Sequence, residues 1–450
     1  MKITKLEVKG HPVLKDFSLD FTNSLTGQAY NNIVFAGENG RGKTTILEIL
    51  SEMRWLFLSG QNNGSLDLNN RFPYEITLSL ETGVEMTSNV NEKNPSLRKI
   101  VIHDEFRPEE HPMGKYLLNT IYSTVGIDYT FSESRNIQNR TVDSEQSNSD
   151  RVRGNRSESK IPQELNELFV SINNQDSVEL STWVDENPNK VVPNSEKHKR
   201  MRRFNEAFSK MFSDLEFKRI SESQEVLFSK NGAEINLSNL SSGEKQIVFR
   251  GGYLLKDINI YQSPFVMIDE PEISLHPKWQ EKIFEFYTSL FEGLDAQIFM
   301  ATHSEYVVES ALKGENSLVY ILSSDGVRKI NQSPVLGKIT GAETNYIAFG
   351  TRAIEYHNQL YSELQTISKK EVVKEFDCWL EQHDIPKDRE RKRTDKDKVI
   401  ACTLCSYIRD EYHHPTKNNP YSEKEVKESI SEMVKVLKEV GNGEEFETTV

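Results

Sequence analysis

The residues with the clearest chemical potential lie in a glycine-rich stretch near the start of the chain, Gly37-Glu-Asn-Gly-Arg-Gly-Lys43-Thr44. It fits the pattern G-x-x-x-x-G-K-[ST], in which backbone N–H groups cradle phosphates and the hydroxyl ligates Mg²⁺. An apolar strand pattern precedes the loop and a helical pattern follows it, which is the context that the motif requires. The stretch therefore predicts a nucleotide-binding loop, with ligand contacts from Asn39, Gly40, Gly42, Lys43, Thr44 and Thr45.

Further candidate residues end two apolar runs, "PFVMIDE" and "AQIFMATHS". Continuous apolar runs of this kind are typical of strands buried on both faces of a parallel sheet. Asp269 is placed to hold Mg²⁺ together with Thr44, and Glu270 to orient or deprotonate an attacking water. His303 ends the next strand, where its imidazole could contact a γ-phosphate. A histidine at a strand end is more often a packed surface residue, but the motif context favours a catalytic role for Glu270 and His303.

Two further short motifs are "LSSGEKQ" at 240–246 and "EISLHP" at 272–277. With the loop and the two strand ends, they resemble the Walker A, signature, Walker B, D-loop and switch-histidine set of ABC-type ATPases. Their order and spacing are similar to those of the soluble branch that includes RecF, SMC and OLD-type proteins. The resemblance covers about residues 1–345. It implies an α/β fold of the P-loop NTPase class, with ATP and Mg²⁺ as cofactors.

The resemblance also implies an assembly. In that family, the signature of one subunit closes over ATP bound to the Walker A loop of a second subunit. This role falls on Ser241 and Gly243, and the D-loop includes Ser274 and His276. A homodimer or a higher homo-oligomer is therefore expected.

The family's pattern is not matched everywhere. The signature is commonly Ser-Gly-Gly, but Ser242 replaces the first glycine here, and no glutamine of the Q-loop can be placed. "NPNKVV" contains Asn-Lys without the Asp that G proteins place next, so ATP is favoured over GTP.

The sequence predicts two domains. An ABC-type ATPase head over 1–345 carries a long insertion of mixed α/β character at about 50–235, and a mainly helical region follows over 346–450. Residues 132–160 are almost free of large apolar side chains, which predicts a mobile loop. In the C-terminal region, Ser422 and Glu425 form a capping-box pattern before an apolar helical stripe.

Composition limits the possible partners and compartments. The net charge of -14 predicts no general attraction to nucleic acid, so any contact requires a local basic patch. The basic residues at 197–203 offer such a patch, and the alternative is a solvated helix face. Three cysteines cannot build a disulfide framework, and no apolar run approaches the roughly 18 residues of a membrane span. We expect a cytoplasmic protein without membrane contact.

The C-terminal region holds two further candidate sites. Cys402 and Cys405, followed by histidines, could bind zinc, but one helix carrying both thiols beside Val399 as core residues is the favoured interpretation. Arg409 and His414 fit the R-x4-H pattern of HEPN ribonucleases. The alternative is that Arg409 pairs with an acidic neighbour while His414 ends a helix.

Three functions follow from these patterns. "NYIAFGTRAIEYHNQLY" and "IRDEYHHP" are similar to the tails of PtuA-like ATPases of Septu phage-defence systems, which act with an HNH nuclease. The first hypothesis is thus a bacterial antiviral ATPase whose nucleotide state controls a partner nuclease of the HNH type. An autonomous ATP-gated RNase toxin and a RecF-like DNA repair ATPase are the alternatives. The chain shows neither a TOPRIM cluster nor a long heptad arm.

Overall fold

The computed structural model describes residues 2–60, 74–83, 85–90, 98–103, 120–123, 161–194, 197, 199–255, 264–324, 326–330, 335–336, 339–393, 398–415 and 421–440. The loop expected at 132–160 lies outside the described residues. The chain divides into two compact units, Met1–Lys329 and Ile330–Val450.

The described parts of the first unit contain both strands and helices. Its strands are β1 (Ile3–His11), β2 (Lys15–Asp20), β3 (Asn32–Gly37), β4 (Glu75–Leu80), β5 (Glu85–Val90), β6 (Arg98–His103), β7 (Thr120–Ser123), β8 (Leu215–Ile220), β9 (Val226–Lys230), β10 (Ala233–Asn236), β11 (Phe265–Asp269), β12 (Gln297–Ala301), β13 (Ser317–Ser323) and β14 (Gly326–Ile330). Its helices are α1 (Lys43–Gly60), α2 (Ile161–Glu186), α3 (Lys199–Met211), α4 (Ser242–Leu255), α5 (Pro277–Leu290) and α6 (Glu305–Lys313).

A six-stranded sheet with the order β14-β13-β3-β12-β11-β7 forms the centre of the first unit. The pairs from β13 to β7 are all parallel. Strands β3, β11 and β12 are apolar and almost wholly buried, as their continuous apolar runs predicted. Because parallel strands end at the same edge, the residues that follow these three strands come together there.

An antiparallel sheet with the order β2-β1-β4-β5-β6 shares its core with the central sheet. The alternation of Leu6 and Val8 along β1 places both in this core, as expected for a strand with one buried face. Phe21, just after β2, packs edge-on against Phe299 of β12, with ring centroids 5.4 Å apart. The start of the chain is thereby fixed beside the parallel strands.

The insertion at 50–235 contains both element types, as predicted. Strands β4–β6 extend the antiparallel sheet, β7 adds an edge to the parallel sheet, and β8–β10 form a separate three-stranded antiparallel sheet. Helices α2 and α3 pack beside this last sheet through a cluster of aromatic rings, in which Phe169 and Phe204 lie 5.1 Å apart. The part of the insertion formed by α2, α3 and β8–β10 is therefore built around an aromatic core.

The basic residues at 197–203 are used inside the first unit. Arg200 is buried, and its Nη1 lies 2.9 Å from Asp176 Oδ1. Its Nη2 lies 2.6 Å from Glu179 Oε1. This guanidinium is neutralised by two carboxylates of α2, so it is unavailable to a phosphate backbone.

A second arginine of this segment is also engaged. Arg203 donates through Nη1 to the backbone carbonyl groups of Leu290 and Glu292, near the end of α5. The nucleic-acid contact considered at 197–203 is therefore not supported. The alternative of a fully solvated helix face is wrong as well, because two of these side chains anchor α3 to its neighbours.

The second unit is mainly helical, as predicted. It contains α7 (Gly341–Phe349), α8 (Ala353–Ser368), α9 (Val373–Glu381), α10 (Leu404–His413) and α11 (Glu423–Val440), with a two-stranded antiparallel sheet of β15 (Arg389–Arg393) and β16 (Lys398–Cys402). The unit begins at Ile330 rather than after residue 345, because Leu336 and Ala342 belong to its apolar core. The predicted capping box is present: Ser422 N–H donates to Glu425 Oε2 at 2.7 Å.

The prediction that a single helix carries both thiols is wrong. Val399 and Cys402 lie on β16, and Thr403 interrupts the pattern as the N-cap of α10, where its Oγ1 accepts the N–H of Ser406 at 3.3 Å. Cys402 and Cys405 are buried core residues nonetheless, whereas Val399 is 46% exposed. The described residues contain no group of three or more His, Cys, Asp or Glu side chains arranged to hold a metal ion.

Among the helices that the structure describes, none combines the length and apolar character needed to cross a membrane.

We expect Arg200→Met to lower the free energy of unfolding by about 3 kcal/mol, because the Asp176 carboxylate stays buried without its guanidinium. Arg202→Met is the matched control: the same charge is lost from a side chain that is 42% exposed, and the change stays within about 0.5 kcal/mol. Urea unfolding followed by circular dichroism measures both. Equal losses in the two variants would contradict the structural role of Arg200.

Candidate functional site

The glycine-rich loop joins the end of β3 to the start of α1. Lys43 is 5% exposed, and its Nζ donates to the carbonyl oxygens of Gly37 at 3.0 Å and Glu38 at 2.8 Å. Gly37 has φ +123°, and a Cβ there would lie 2.1 Å from the carbonyl oxygen of Leu322 on β13. Only glycine fits this close approach. The loop is thus held between its own lysine and the neighbouring strand.

The rest of the loop faces outward. Asn39 and Gly40 are exposed, while Gly42 and Thr45 are half-buried. A Cβ at Gly42 would lie 2.3 Å from a methyl carbon of Leu14, so the turn between β1 and β2 packs directly against the loop.

The end of β11 brings two carboxyl groups to the same edge. The Thr44 hydroxyl donates to Asp269 Oδ1 at 3.2 Å, and Asp269 is 3% exposed. Glu270 has φ +44°, a left-handed conformation that is unusual for a residue with a side chain. Its N–H donates to the carbonyl oxygen of Ala301 at 2.8 Å, which ties the end of β11 to β12.

His303 lies between these groups, as its place after β12 predicted. Its Nδ1 is 3.4 Å from Lys43 Nζ, and its Nε2 is 3.7 Å from Glu270 Oε1. The structure therefore brings together the five candidate site residues that three separate sequence motifs predicted: Lys43, Thr44, Asp269, Glu270 and His303.

Burial sets the protonation of this cluster. Desolvation lowers the pKa of Lys43 to about 8, although the nearby carboxylates of Glu270, Glu272 and Asp269 act in the opposite direction. Desolvation raises the pKa of Asp269 to about 6 against the hydrogen bond from Thr44. The pKa of His303 is lowered by desolvation and by the charge of Lys43, so its ring is neutral near pH 7.

The signature residues lie at the start of α4, away from the loop. Ser241 is exposed; its N–H donates to Glu244 Oε2 at 2.8 Å and its Oγ accepts the N–H of Glu244 at 3.4 Å, which is a capping box. Gly243 is buried, and a Cβ there would lie 2.9 Å from the Trp279 ring and 3.1 Å from the carbonyl oxygen of Ser274. Within the described chain, no hydrogen bond or ion pair joins residues 241–243 to the glycine-rich loop.

The D-loop, residues 274–277, leads into α5. Ser274 is exposed and has φ +60°, and His276 is the N-cap of α5, where its Nδ1 accepts the N–H of Lys278 at 3.3 Å. The carbonyl of Ser274 faces Gly243, so the D-loop and the start of the signature helix pack against each other.

Arg250 is a positioning residue that the sequence motifs did not reveal. It is fully buried on α4, and its Nη1 donates to the carbonyl oxygens of Asp269 at 2.8 Å and Glu270 at 3.2 Å. The signature helix therefore holds the backbone of the two candidate acidic residues. The available signal was an arginine within the apolar run "IVFRGGYLL", because a buried guanidinium requires strong acceptors.

The C-terminal R-x4-H residues do not form a comparable cluster. The Arg409 guanidinium carbon lies 5.1 Å from the ring centroid of Tyr361. His414 is exposed and lies past the end of α10 as its C-cap residue. No hydrogen bond between these two side chains is present in the described part of the chain.

Residues 33–309 match the protein family described as "AAA domain, putative AbiEii toxin, Type IV TA system". The chain belongs to this family. The family match, together with the parallel sheet, confirms the predicted P-loop α/β fold and makes the first unit an ATPase domain. The AAA-domain match includes the glycine-rich loop, the signature, both strand ends and the D-loop.

Two curated relatives match parts of the chain. The chain is 26% identical over 206 residues to the "Retron Vc95 probable ATPase" of Vibrio cholerae serotype O1 biovar El Tor, which covers 42% of the chain and 37% of the relative. It is 29% identical over 107 residues to the "Septu protein PtuA" of Bacillus thuringiensis, which covers 21% of the chain and 26% of the relative. The alignments thus span about a third or less of each relative's length.

Solved structures with a similar arrangement include two SMC heads. The SMC head domain from Thermotoga maritima is 14% identical, with 74% of this chain and 100% of that chain covered and a TM-score of 0.39. The Smc head domain bound to the C-terminal domain of ScpA, derived from Pyrococcus furiosus, is 14% identical, with coverages of 73% and 95% and a TM-score of 0.38.

We expect kcat/KM for ATP hydrolysis to be bell-shaped, with limbs near pH 6 and pH 8. Below the acidic limb Asp269 is protonated and cannot hold Mg²⁺, and above the alkaline limb Lys43 loses the charge that attracts phosphate. Steady-state rates from pH 5 to 9 measure this profile. His303→Gln lowers the rate but keeps the acidic limb near pH 6; loss of that limb in this variant would assign it to His303 instead of Asp269.

Proposed function

We propose that this chain is the ATP-binding and ATP-hydrolysing subunit of a bacterial antiviral defence system, and that its nucleotide state controls a partner nuclease. The observation that carries the ATPase part is the convergence of Lys43, Thr44, Asp269, Glu270 and His303 at one edge of the parallel sheet. Phosphoryl transfer depends mainly on positioning and charge neutralisation, which these groups provide together.

Each residue has a role that follows from its place. The backbone N–H groups of the loop, from Asn39 to Thr45, hold the phosphates, and Lys43 exchanges its carbonyl acceptors for β and γ oxygens. The Thr44 hydroxyl and the Asp269 carboxylate already lie 3.2 Å apart, and this pair of oxygen donors fits Mg²⁺. The ion would neutralise phosphate charge when bound. Glu270 orients or deprotonates water, and His303 contacts the γ-phosphate.

A second copy of the chain completes the site in this proposal. Ser241 is exposed at the N-terminus of α4, where backbone N–H groups and the helix dipole favour an anion. In its own chain this end is joined to the D-loop and not to the glycine-rich loop. We therefore assign Ser241 and Gly243 to the nucleotide on a neighbouring chain, with Ser274 and His276 of the D-loop at the same interface.

Mixing two inactive variants tests this shared site. We expect Lys43→Ala to lose ATP binding and Ser241→Arg to retain ATP binding as a monomer, and each alone to lose at least 95% of the ATPase activity, about 20-fold. An equimolar mixture recovers up to about a quarter of the wild-type rate, since half of the dimers are mixed and each has one intact composite site. A mixture no more active than its components would contradict a site shared between chains.

The defence role is supported by the relatives. Two are named for a retron and for Septu, and the retron relative is named as a probable ATPase, in keeping with the chain's own match to an ATPase family. The R-x4-H residues lack a shared contact, so the described chain offers no geometric support for a nuclease of its own. A partner nuclease, of the HNH type by the resemblance to Septu, would supply that chemistry.

Expression with the adjacent genes tests the defence role. We expect Lys43→Ala and Glu270→Gln to lower protection against phage by about 100-fold or more, because each removes a group needed for the ATP cycle. Lys282→Met, an exposed position on α5, is the control and retains protection. Plaque counts measure the effect. Full protection by both site variants would refute control of the effector by ATP while leaving the ATPase assignment intact.

A further inference from the structure

One side chain bridges the D-loop and the segment that carries His303. Gln280, in the first turn of α5, donates through Nε2 to the carbonyl oxygen of Leu275 at 3.0 Å. Its Oε1 accepts the hydroxyl of Ser304 at 2.7 Å. The orientation of this amide is fixed by chemistry, because the carbonyl of Leu275 can only accept and therefore requires the NH₂ group. Both polar atoms of the Gln280 amide therefore take part in hydrogen bonds.

The position of Ser304 shows that this bridge replaces another interaction. Ser304 is the N-cap residue of α6, yet its side chain makes no capping hydrogen bond. A serine at this position usually stabilises its helix by accepting a backbone N–H. Here its hydroxyl is directed to Gln280 instead, and its own N–H donates to Thr302 Oγ1 at 3.0 Å.

A second bridge lies on the other side of His303. Glu272, just before the D-loop, accepts the backbone N–H of His303 at 2.6 Å through Oε1. Glu272 therefore holds the backbone N–H of His303, and Gln280 holds the side chain of the next residue, Ser304. Both originate from the segment that surrounds the D-loop.

The other end of this connection lies at the expected subunit interface. Ser274 is exposed and left-handed, and its carbonyl oxygen contacts the start of the signature helix at Gly243. The D-loop and the signature helix are so closely packed at Gly243 that even a Cβ would be too close, so the D-loop cannot move toward the helix there. A displacement of the D-loop would be passed on through Leu275 and Gln280 to Ser304.

We propose that Gln280 is a positioning residue that couples docking of a second chain at the D-loop to the placement of His303. This inference rests on the proposed ATP-dependent dimer. In the chain alone, the imidazole lies against Lys43 and Glu270, at 3.4 and 3.7 Å. Docking at Ser274 shifts residues 302–304 through Gln280 and moves the imidazole toward the γ-phosphate. Hydrolysis is thereby restricted to the assembled state.

The first test compares two neighbouring leucine variants on α5. Gln280→Leu removes the hydrogen bonds to Leu275 and Ser304. Glu281→Leu is the control, because it places the same side chain at an exposed position. We expect Gln280→Leu to lower kcat about tenfold, with ATP binding by the single chain and KM within twofold of wild type. The melting temperature changes little, because the freed Ser304 hydroxyl can cap α6. Glu281→Leu keeps the wild-type kcat.

The second test uses protonation to restore the missing donor. In Gln280→Glu, the carboxylate still accepts from Ser304 but cannot donate to the carbonyl of Leu275. Protonation supplies an O–H donor, so the ratio of the variant's kcat to the wild-type kcat rises as the pH falls from 8 to 5, toward the ordinary pKa of a glutamic acid. The ratio for Gln280→Leu stays flat over the same range. A residue with only a structural role would not show this difference.

The outcomes separate this inference from the proposed function. If the wild-type chain neither hydrolyses ATP nor associates, the proposed function fails and the coupling with it. If the wild type is active, a kcat of Gln280→Leu within twofold of wild type overturns the coupling alone. Parallel losses of ATP binding and melting temperature in Gln280→Leu also overturn it, as does a flat pH ratio for Gln280→Glu.

Discussion

The buried ammonium group of Lys43 is the interaction on which the arrangement of the site depends. It donates to two carbonyl groups of its own loop and lies within 3.4 Å of His303 Nδ1. The carboxyl groups of Asp269 and Glu270 act on its charge from the end of β11. Because three parallel strands end around one poorly hydrated cation, each group's protonation depends on the others. A bound nucleotide would therefore change the charge balance of the whole edge.

Much of this edge could be predicted from sequence, and the reason is geometric. Lys43, Asp269 and His303 each follow an apolar run, and a parallel sheet places the ends of such runs together. The supporting residues could not be found in this way. Arg250 and Gln280 act on backbone carbonyl groups, which every residue possesses, so their partners leave no trace in the pattern of side-chain types.

The incorrect predictions have a common cause, which is that short patterns do not contain tertiary contacts. Cys402 and Cys405 have helical spacing, but Thr403 between them caps α10 and starts a new element. Arg200 belongs to a run of basic residues that suggests a solvent-facing surface, yet carboxylates of α2 more than twenty positions earlier bury its charge. Only the fold shows whether a charged or polar residue faces the solvent or a partner.

The contact at Gly243 shows that the two glycine positions of the Ser-Gly-Gly motif are not equivalent in this fold. The two positions after Ser241 differ in what surrounds them: Ser242 is exposed, whereas Gly243 is enclosed by Trp279 and the Ser274 carbonyl. A larger side chain is accommodated at the first position and would separate the signature helix from the D-loop at the second. The surrounding structure therefore leaves room for a side chain at position 242 and restricts position 243 to glycine.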